Sequence, residues 1–167
     1  MRLIFIFAIL KYSYLFLVAI TTPGGIIPFQ LSPTINPILN MVQLNQWVVG
    51  KLLLLSGYEI RFTTMGVGIK ESFGVWIEFP CLGIQVSYAF ISLIVAYPGK
   101  DKWKHIIIGL FIFQLVNFIR IYLIILAGHQ IPNINIGNAH LIYNCIVYSI
   151  MLYLFYRYTQ KQTELTT

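Results

Sequence analysis

Three residues of this 167-residue chain, Cys81, Arg120 and His140, could together carry out acyl transfer. A thiolate attacks a peptide carbonyl, and a nearby guanidinium stabilises both the thiolate and the oxyanion that forms. An imidazole gives a proton to the departing amine and then activates a second nucleophile. The product of the first step is a thioester. The chain must therefore bring three residues that are far apart in sequence to one place.

Each of the three residues also has an ordinary structural explanation. A cysteine at a membrane interface can be inert, an arginine inside a helix end can extend to lipid headgroups, and a histidine can cap a helix. Their joint placement on one side of the predicted topology favours a functional site.

The composition indicates an integral membrane protein. Of all residues 58% are hydrophobic and only 10% are charged, whereas a soluble domain is about a quarter charged. The net charge is +6, with basic clusters at 100–104 and 157–161, which is typical of cytoplasmic segments rather than of nucleic-acid binding. The sequence contains no motif for a metal or a cofactor, so we predict neither. Cys145 lies in an apolar run and is expected to be a buried, inert thiol.

Apolar runs predict four membrane-spanning helices, at about 3–20, 82–98, 106–127 and 139–156. The basic residues place 99–105 and the C-terminus in the cytoplasm, and 128–138 outside. Residues 21–81 are then extracytoplasmic. The first run could instead be a signal peptide, and Lys11 near its middle is unfavourable for a span.

The extracytoplasmic segment predicts one helix and one hairpin. Four prolines exclude a helix over 21–37, and 38–56 then has helical periodicity up to a stop at Gly57. We interpret 38–56 as an amphipathic helix at the outer surface, with a further membrane span as the alternative. Its faces are Leu44, Trp47, Val48 and 51–55 on the apolar side and Gln43, Asn45 and Gln46 on the polar side.

From Tyr58 to Phe79 the alternation of apolar and polar residues predicts a β-hairpin that ends at Pro80. The fold class is therefore an all-α polytopic membrane protein with about four transmembrane helices, an extracytoplasmic amphipathic helix and a short β-hairpin-like segment. Residues 1–167 form a single membrane-embedded domain.

Polar stripes at helical spacing on three of the predicted spans indicate a common pocket. The stripes are Cys81, Gln85, Tyr88 and Ser92; Gln114, Asn117 and Arg120; and His140, Tyr143 and Asn144. Such stripes face a bundle interior because hydrocarbon cannot satisfy them. Arg120 lies about 12 Å along its helix from Gly128. Either the site is sunk into the outer leaflet or the arginine must bend upward.

The segments Cys81-Leu82-Gly83 and Asn117-Phe118-Ile119-Arg120, followed by His140 at the start of the last span, resemble the exosortase/archaeosortase family of membrane cysteine transpeptidases. The resemblance covers roughly residues 38–156 and is to a short form. It departs from the family at Leu82, where a small residue is common.

This resemblance implies that Cys81 is the nucleophile, Arg120 stabilises the thiolate and oxyanion, and His140 is the acid–base group. Asn117 would support Arg120, and we expect Gln85, Tyr88 and Asn144 to line the substrate pocket. The implied partners are membrane lipid and a secreted protein with a C-terminal sorting signal of motif, transmembrane segment and basic tail. The implied location is the cytoplasmic (inner) membrane, with the active site on the extracytoplasmic side. A non-catalytic membrane subunit or helix-binding assembly factor is the alternative.

Overall fold

The computed structural model of the chain describes residues 2–21, 36–131 and 136–164, except for the side chains of 20, 21, 79, 80, 136–140 and 164. This part of the chain is mostly helical. Its elements in chain order are α1 (Arg2–Thr21), α2 (Pro37–Leu55), β1 (Ile60–Phe62), β2 (Gly66–Ile69), β3 (Gly74–Trp76), a 3-10 helix (Phe79–Leu82), α3 (Ile84–Ala96), α4 (Lys102–Gln130) and α5 (Ile136–Glu164).

Three of the helices, α1, α2 and α4, are long and apolar enough to cross a membrane. The fold is thus compatible with the predicted membrane location. The individual spans differ from the prediction in three places. Helix α2 qualifies as a span by length and composition, as in the alternative reading of 38–56. Helix α3 has only 13 residues, or about 20 Å of helix, and is shorter than the predicted run 82–98. Helix α5 has 29 residues but is not among the three.

Helix α2 begins and ends where its sequence requires. The Asn36 side chain accepts hydrogen bonds from the amides of Ile38 and Leu39, and Pro37 occupies the first turn. At the other end Gly57 is left-handed, with φ of 84°, as a helix stop needs.

Two of the three residues on the predicted polar face of α2 are buried within the protein. Asn45 and Gln46 are buried and Gln43 is exposed, as are the apolar Leu44 and Trp47. The expectation that this side of α2 faces water is therefore wrong for Asn45 and Gln46.

The predicted hairpin is a three-stranded antiparallel sheet in the order β1-β2-β3. The sequence did not predict strand β2, because Gly66 and Gly68 are typical of turns. The sheet is fastened to α2, because the Gln46 side-chain amide donates to the carbonyls of Thr63 and Gly66 at 2.9 and 3.1 Å. It is also fastened to the end of α4, where the Ser72 hydroxyl and His129 Nδ1 are 2.7 Å apart.

Helix α3 contacts α1, α4 and α5. It packs closely on α4 at Gly109, where an added Cβ would lie 2.2 Å from Cε1 of Phe90. The Phe90 ring also meets Phe113 edge to face at 5.2 Å between centroids. These rings and the glycine fix how α3 and α4 pack.

The α3–α4 turn and the end of α5 meet at the opposite end of the molecule from the sheet. The Gln162 amide bonds both main-chain groups of Lys100, at 2.8 and 3.1 Å. Tyr158 is buried against Tyr97 and His105. This end gathers Lys100, Lys102, Lys104, Arg157 and Lys161.

We expect Gly109→Leu to destabilise the fold by about 1–3 kcal/mol, because the side chain must displace the Phe90 ring. Thermal unfolding of the purified protein in detergent measures the loss. Ile107→Leu on the exposed face of the same helix is the control and should be near neutral. Phe90→Ala combined with Gly109→Leu should cost less than the sum of the two single losses, and purely additive effects would contradict this packing.

Candidate functional site

The chain reverses direction at Gly83, between the 3-10 helix that carries Cys81 and the start of α3. Gly83 is left-handed, with φ of 70°, a conformation that costs other residues roughly 1–2 kcal/mol. Its carbonyl accepts the Ser87 hydroxyl at 3.0 Å. The Cys81 amide donates to the Glu78 carbonyl at 2.8 Å. This turn directs the Cys81 carbonyl at α4.

Asn117 receives that carbonyl and is fully buried. Its Nδ2 donates to the Cys81 carbonyl at 2.8 Å and to Asn45 Oδ1 at 3.1 Å. Its Oδ1 accepts from the Tyr143 hydroxyl at 3.5 Å. Both donors and the acceptor of one amide are therefore used, which fixes its orientation. One side chain on α4 connects α2, the cysteine segment and α5.

Asn45 completes this buried network from α2. Its Oδ1 also accepts from Gln114 Nε2 at 3.3 Å, and its own Nδ2 donates to the Met41 carbonyl at 2.7 Å. The stripe of Gln114, Asn117 and Arg120 thus faces the protein interior, as its spacing predicts.

Arg120 is 7% exposed, and its Cζ lies 4.1 Å from the centroid of the Tyr143 ring. A guanidinium over an aromatic face is stabilised by about 2 kcal/mol when water is excluded. The Tyr143 hydroxyl also bonds Asn117, whose amide holds the Cys81 carbonyl. Tyr143 and Asn117 therefore connect the arginine to the cysteine segment.

A groove opens beside this network between α3, α4 and α5. Predicted site residues line it, namely Gln85, Arg120 and Asn144, together with Gly83 and Tyr143. Cys81 is half-buried two residues from Gly83, packed against the core cluster that includes Leu82. The groove thus receives Gln85 from the first predicted stripe, Arg120 from the second, and Tyr143 and Asn144 from the third. Cys81 is not among its lining residues.

The remaining predicted residues lie elsewhere. Tyr88 packs against α1, with ring centroids 5.2 Å from Phe7 and 6.2 Å from Tyr14, so its placement in the pocket is corrected. Helix α1 covers that side of α3, which the sequence could not show. Position 140 lies in α5 one turn before Tyr143, and the His140 side chain lies outside the described residues. Cys145 is exposed, not buried as expected, because it lies on the outward face of α5.

The depth of Arg120 follows from these contacts. Asn117 and Arg120 occupy the middle of α4, and ten residues separate Arg120 from the end of α4 at Gln130, or about 15 Å. The Cys81 carbonyl meets Asn117 directly. The cysteine segment therefore lies beside the middle of α4, one helical turn from Arg120.

Asn45 is the site residue that sequence reasoning missed. The sequence predicts it, with Gln43 and Gln46, on the polar side of an amphipathic helix. The apolar residues on the opposite side of α2 are the signal that could have identified it. Amides on a helix that is surrounded by lipid need hydrogen-bond partners within the protein.

Comparison of the chain with protein-family models, with curated proteins and with solved structures gives no match. The function must therefore be inferred from the residues of the site itself.

We expect Asn117→Ala to destabilise the protein by about 1–3 kcal/mol, because it leaves the part-buried Cys81 carbonyl without this donor and removes the shorter of the two hydrogen bonds to Asn45 Oδ1. Gln114→Ala, which removes one longer bond to the same Asn45, is the matched control and should cost less than about 1 kcal/mol. Thermal unfolding in detergent measures both. Equal losses in the two variants would show that Asn117 is not the centre of the network.

Proposed function

We propose that the chain is a membrane cysteine protease or transpeptidase of the exosortase/archaeosortase type. It would cleave the C-terminal sorting signal of a secreted protein at the outer face of the cytoplasmic membrane. The observation that carries this proposal is the Asn117 amide, bonded to the Cys81 carbonyl one turn from Arg120. It holds the backbone of the cysteine beside the part of α4 that carries Arg120, and it also bonds Tyr143 of α5.

In the proposed reaction the Cys81 thiolate attacks the scissile carbonyl, and Arg120 stabilises the resulting oxyanion. The carbon–nitrogen bond then breaks, and His140 gives its proton to the departing amine. The acyl group remains on sulfur as a thioester. An amine or a water, deprotonated by His140, attacks the thioester and releases the thiolate.

The surroundings of Arg120 suit a stabilising role. Tyr143 covers one face of the guanidinium, which helps to hold the group in place. None of the chain's five acidic residues lies in α1, α2, α3 or α4. A retained positive charge in a water-poor groove acts strongly on an oxyanion. Gln85 and Asn144 supply amides in the same groove for a peptide backbone.

The charge distribution supports the proposed orientation. The end with the α3–α4 turn carries five cations and, among its described side chains, one carboxylate, Asp101. Residues 58–78, which contain the sheet, carry three carboxylates and two cations. A strongly basic end is retained in the cytoplasm, which leaves the sheet outside.

Impermeant maleimide labelling of intact cells tests this orientation. In a background of Cys81→Ser and Cys145→Ser, we expect Lys70→Cys on the sheet to be labelled in intact cells. Lys104→Cys, equally exposed at the basic end, should be labelled only after permeabilisation. The reverse pattern would place the site on the cytoplasmic side and overturn the proposed location.

Substitution of Cys81 tests the chemistry. We expect Cys81→Ser, Arg120→Ala and His140→Ala each to abolish processing of secreted proteins that end in an apolar segment, measured as precursor accumulation in a deletion strain carrying each variant. Cys145→Ser removes the other thiol and should restore processing fully. A hydroxylamine-sensitive acyl adduct on the wild-type protein, absent from Cys81→Ser, is expected by intact mass.

Full processing by Cys81→Ser would exclude nucleophilic catalysis. A second candidate, a non-catalytic subunit that binds another helix, would then be favoured by Lys11. This lysine is exposed in the middle of α1, where a charge costs about 2.5–3.5 kcal/mol in a bilayer unless it has a partner. The subunit reading predicts loss of function in Lys11→Leu and none in Cys81→Ser.

A further inference from the structure

The outer face of the three-stranded sheet carries a trough with a floor of glycine backbone. Arg61 is paired with Gly68, which is paired with Gly74, and Gly66 is paired with Trp76. Residues that pair directly project on the same face. Arg61 and Thr63 thus form one wall and Trp76 the other. Two strand spacings separate the walls, about 10 Å, which is the width that one extended chain occupies.

The floor is bare because the strands approach too closely for side chains. A Cβ on Gly68 would lie 2.4 Å from the Gly74 Cα, and one on Gly66 would lie 2.9 Å from the Val75 carbonyl oxygen. The floor amides and carbonyls belong to the strand ladder. Recognition of a ligand therefore falls to the two walls.

The walls offer a cation and an aromatic face. Arg61 is exposed, and Trp76 is 58% exposed. Among the described residues, a salt bridge joins Lys70 and Glu59 at 2.8 Å. Arg61 takes no part in it, and its guanidinium is accessible to solvent. A guanidinium binds a carboxylate through two parallel hydrogen bonds, and an indole accepts a flat apolar group.

We propose that this trough binds an extended peptide segment that carries a carboxylate side chain next to an apolar one. The carboxylate meets Arg61 and the apolar group meets Trp76. The identity of this peptide as the substrate rests on the proposed function. Trp76 is five residues before Cys81, so at most about 17 Å of chain separates them. The Arg61 wall lies about 10 Å farther away, so a bound peptide would be cut within about eight residues of its carboxylate.

A binding measurement that requires no catalysis tests the trough. The full-length chain with Cys81→Ser, Cys145→Ser, Trp47→Phe and Trp103→Phe keeps Trp76 as the single tryptophan of three. It is placed in nanodiscs of zwitterionic lipid and titrated with a blocked octapeptide that has one central Glu between leucines. The comparison peptide has Gln at that position. Fluorescence of Trp76 reports occupancy.

We expect the Glu peptide to bind about tenfold more tightly than the Gln peptide, as a charge-assisted pair requires. Arg61→Gln should remove the difference, and Lys70→Gln on the same sheet should keep it. Equal binding of the two peptides, or a preference that survives Arg61→Gln, would overturn the trough. The proposed function is tested separately. If a Glu peptide binds but forms no adduct on wild-type Cys81, the proposed reaction is wrong, whereas the trough remains a peptide-binding site.

Discussion

The side-chain amide of Asn117 is the interaction on which the rest of the arrangement depends. It joins α2 through Asn45, the 3-10 helix through the Cys81 carbonyl, and α5 through Tyr143. Apolar surfaces alone associate weakly in lipid, where the tails are as apolar as the side chains. A polar amide with three partners specifies which helices meet and at what depth. The position of the thiol relative to Arg120 follows from it.

The features that the sequence predicts correctly depend on residues that lie close together within one helix. Spacing at steps of three is enough to put Gln114, Asn117 and Arg120 on one face, and that face is turned inward. Gly57 ends α2 as its conformational freedom implies. These features are local, so neighbouring residues determine them.

The features that could not be predicted depend on contacts between distant segments. Tyr88 continues the spacing of Gln85, but α1 covers it, and nothing in 81–92 indicates which helix lies alongside. Gly66 and Gly68 form a strand because β1 and β3 flank them, although glycine disfavours strands by itself. The position of Cys81 beside the middle of α4 could not be predicted, because it depends both on the short α3 and on the hydrogen bond from Asn117.

The contact of Arg120 with Tyr143 has a consequence for the order of biosynthesis. Arg120 is made 23 residues before Tyr143, so α4 is synthesised while its aromatic partner has not yet been added. In the proposed membrane setting, a guanidinium at mid-helix costs about 2.5–3.5 kcal/mol on insertion, which the apolar residues of α4 must offset. Arrival of α5 then relieves that cost. The groove is therefore completed only when α5 packs against α4. A chain that stops before residue 143 would leave the Arg120 guanidinium without its aromatic contact, and quality-control proteases would then recognise it.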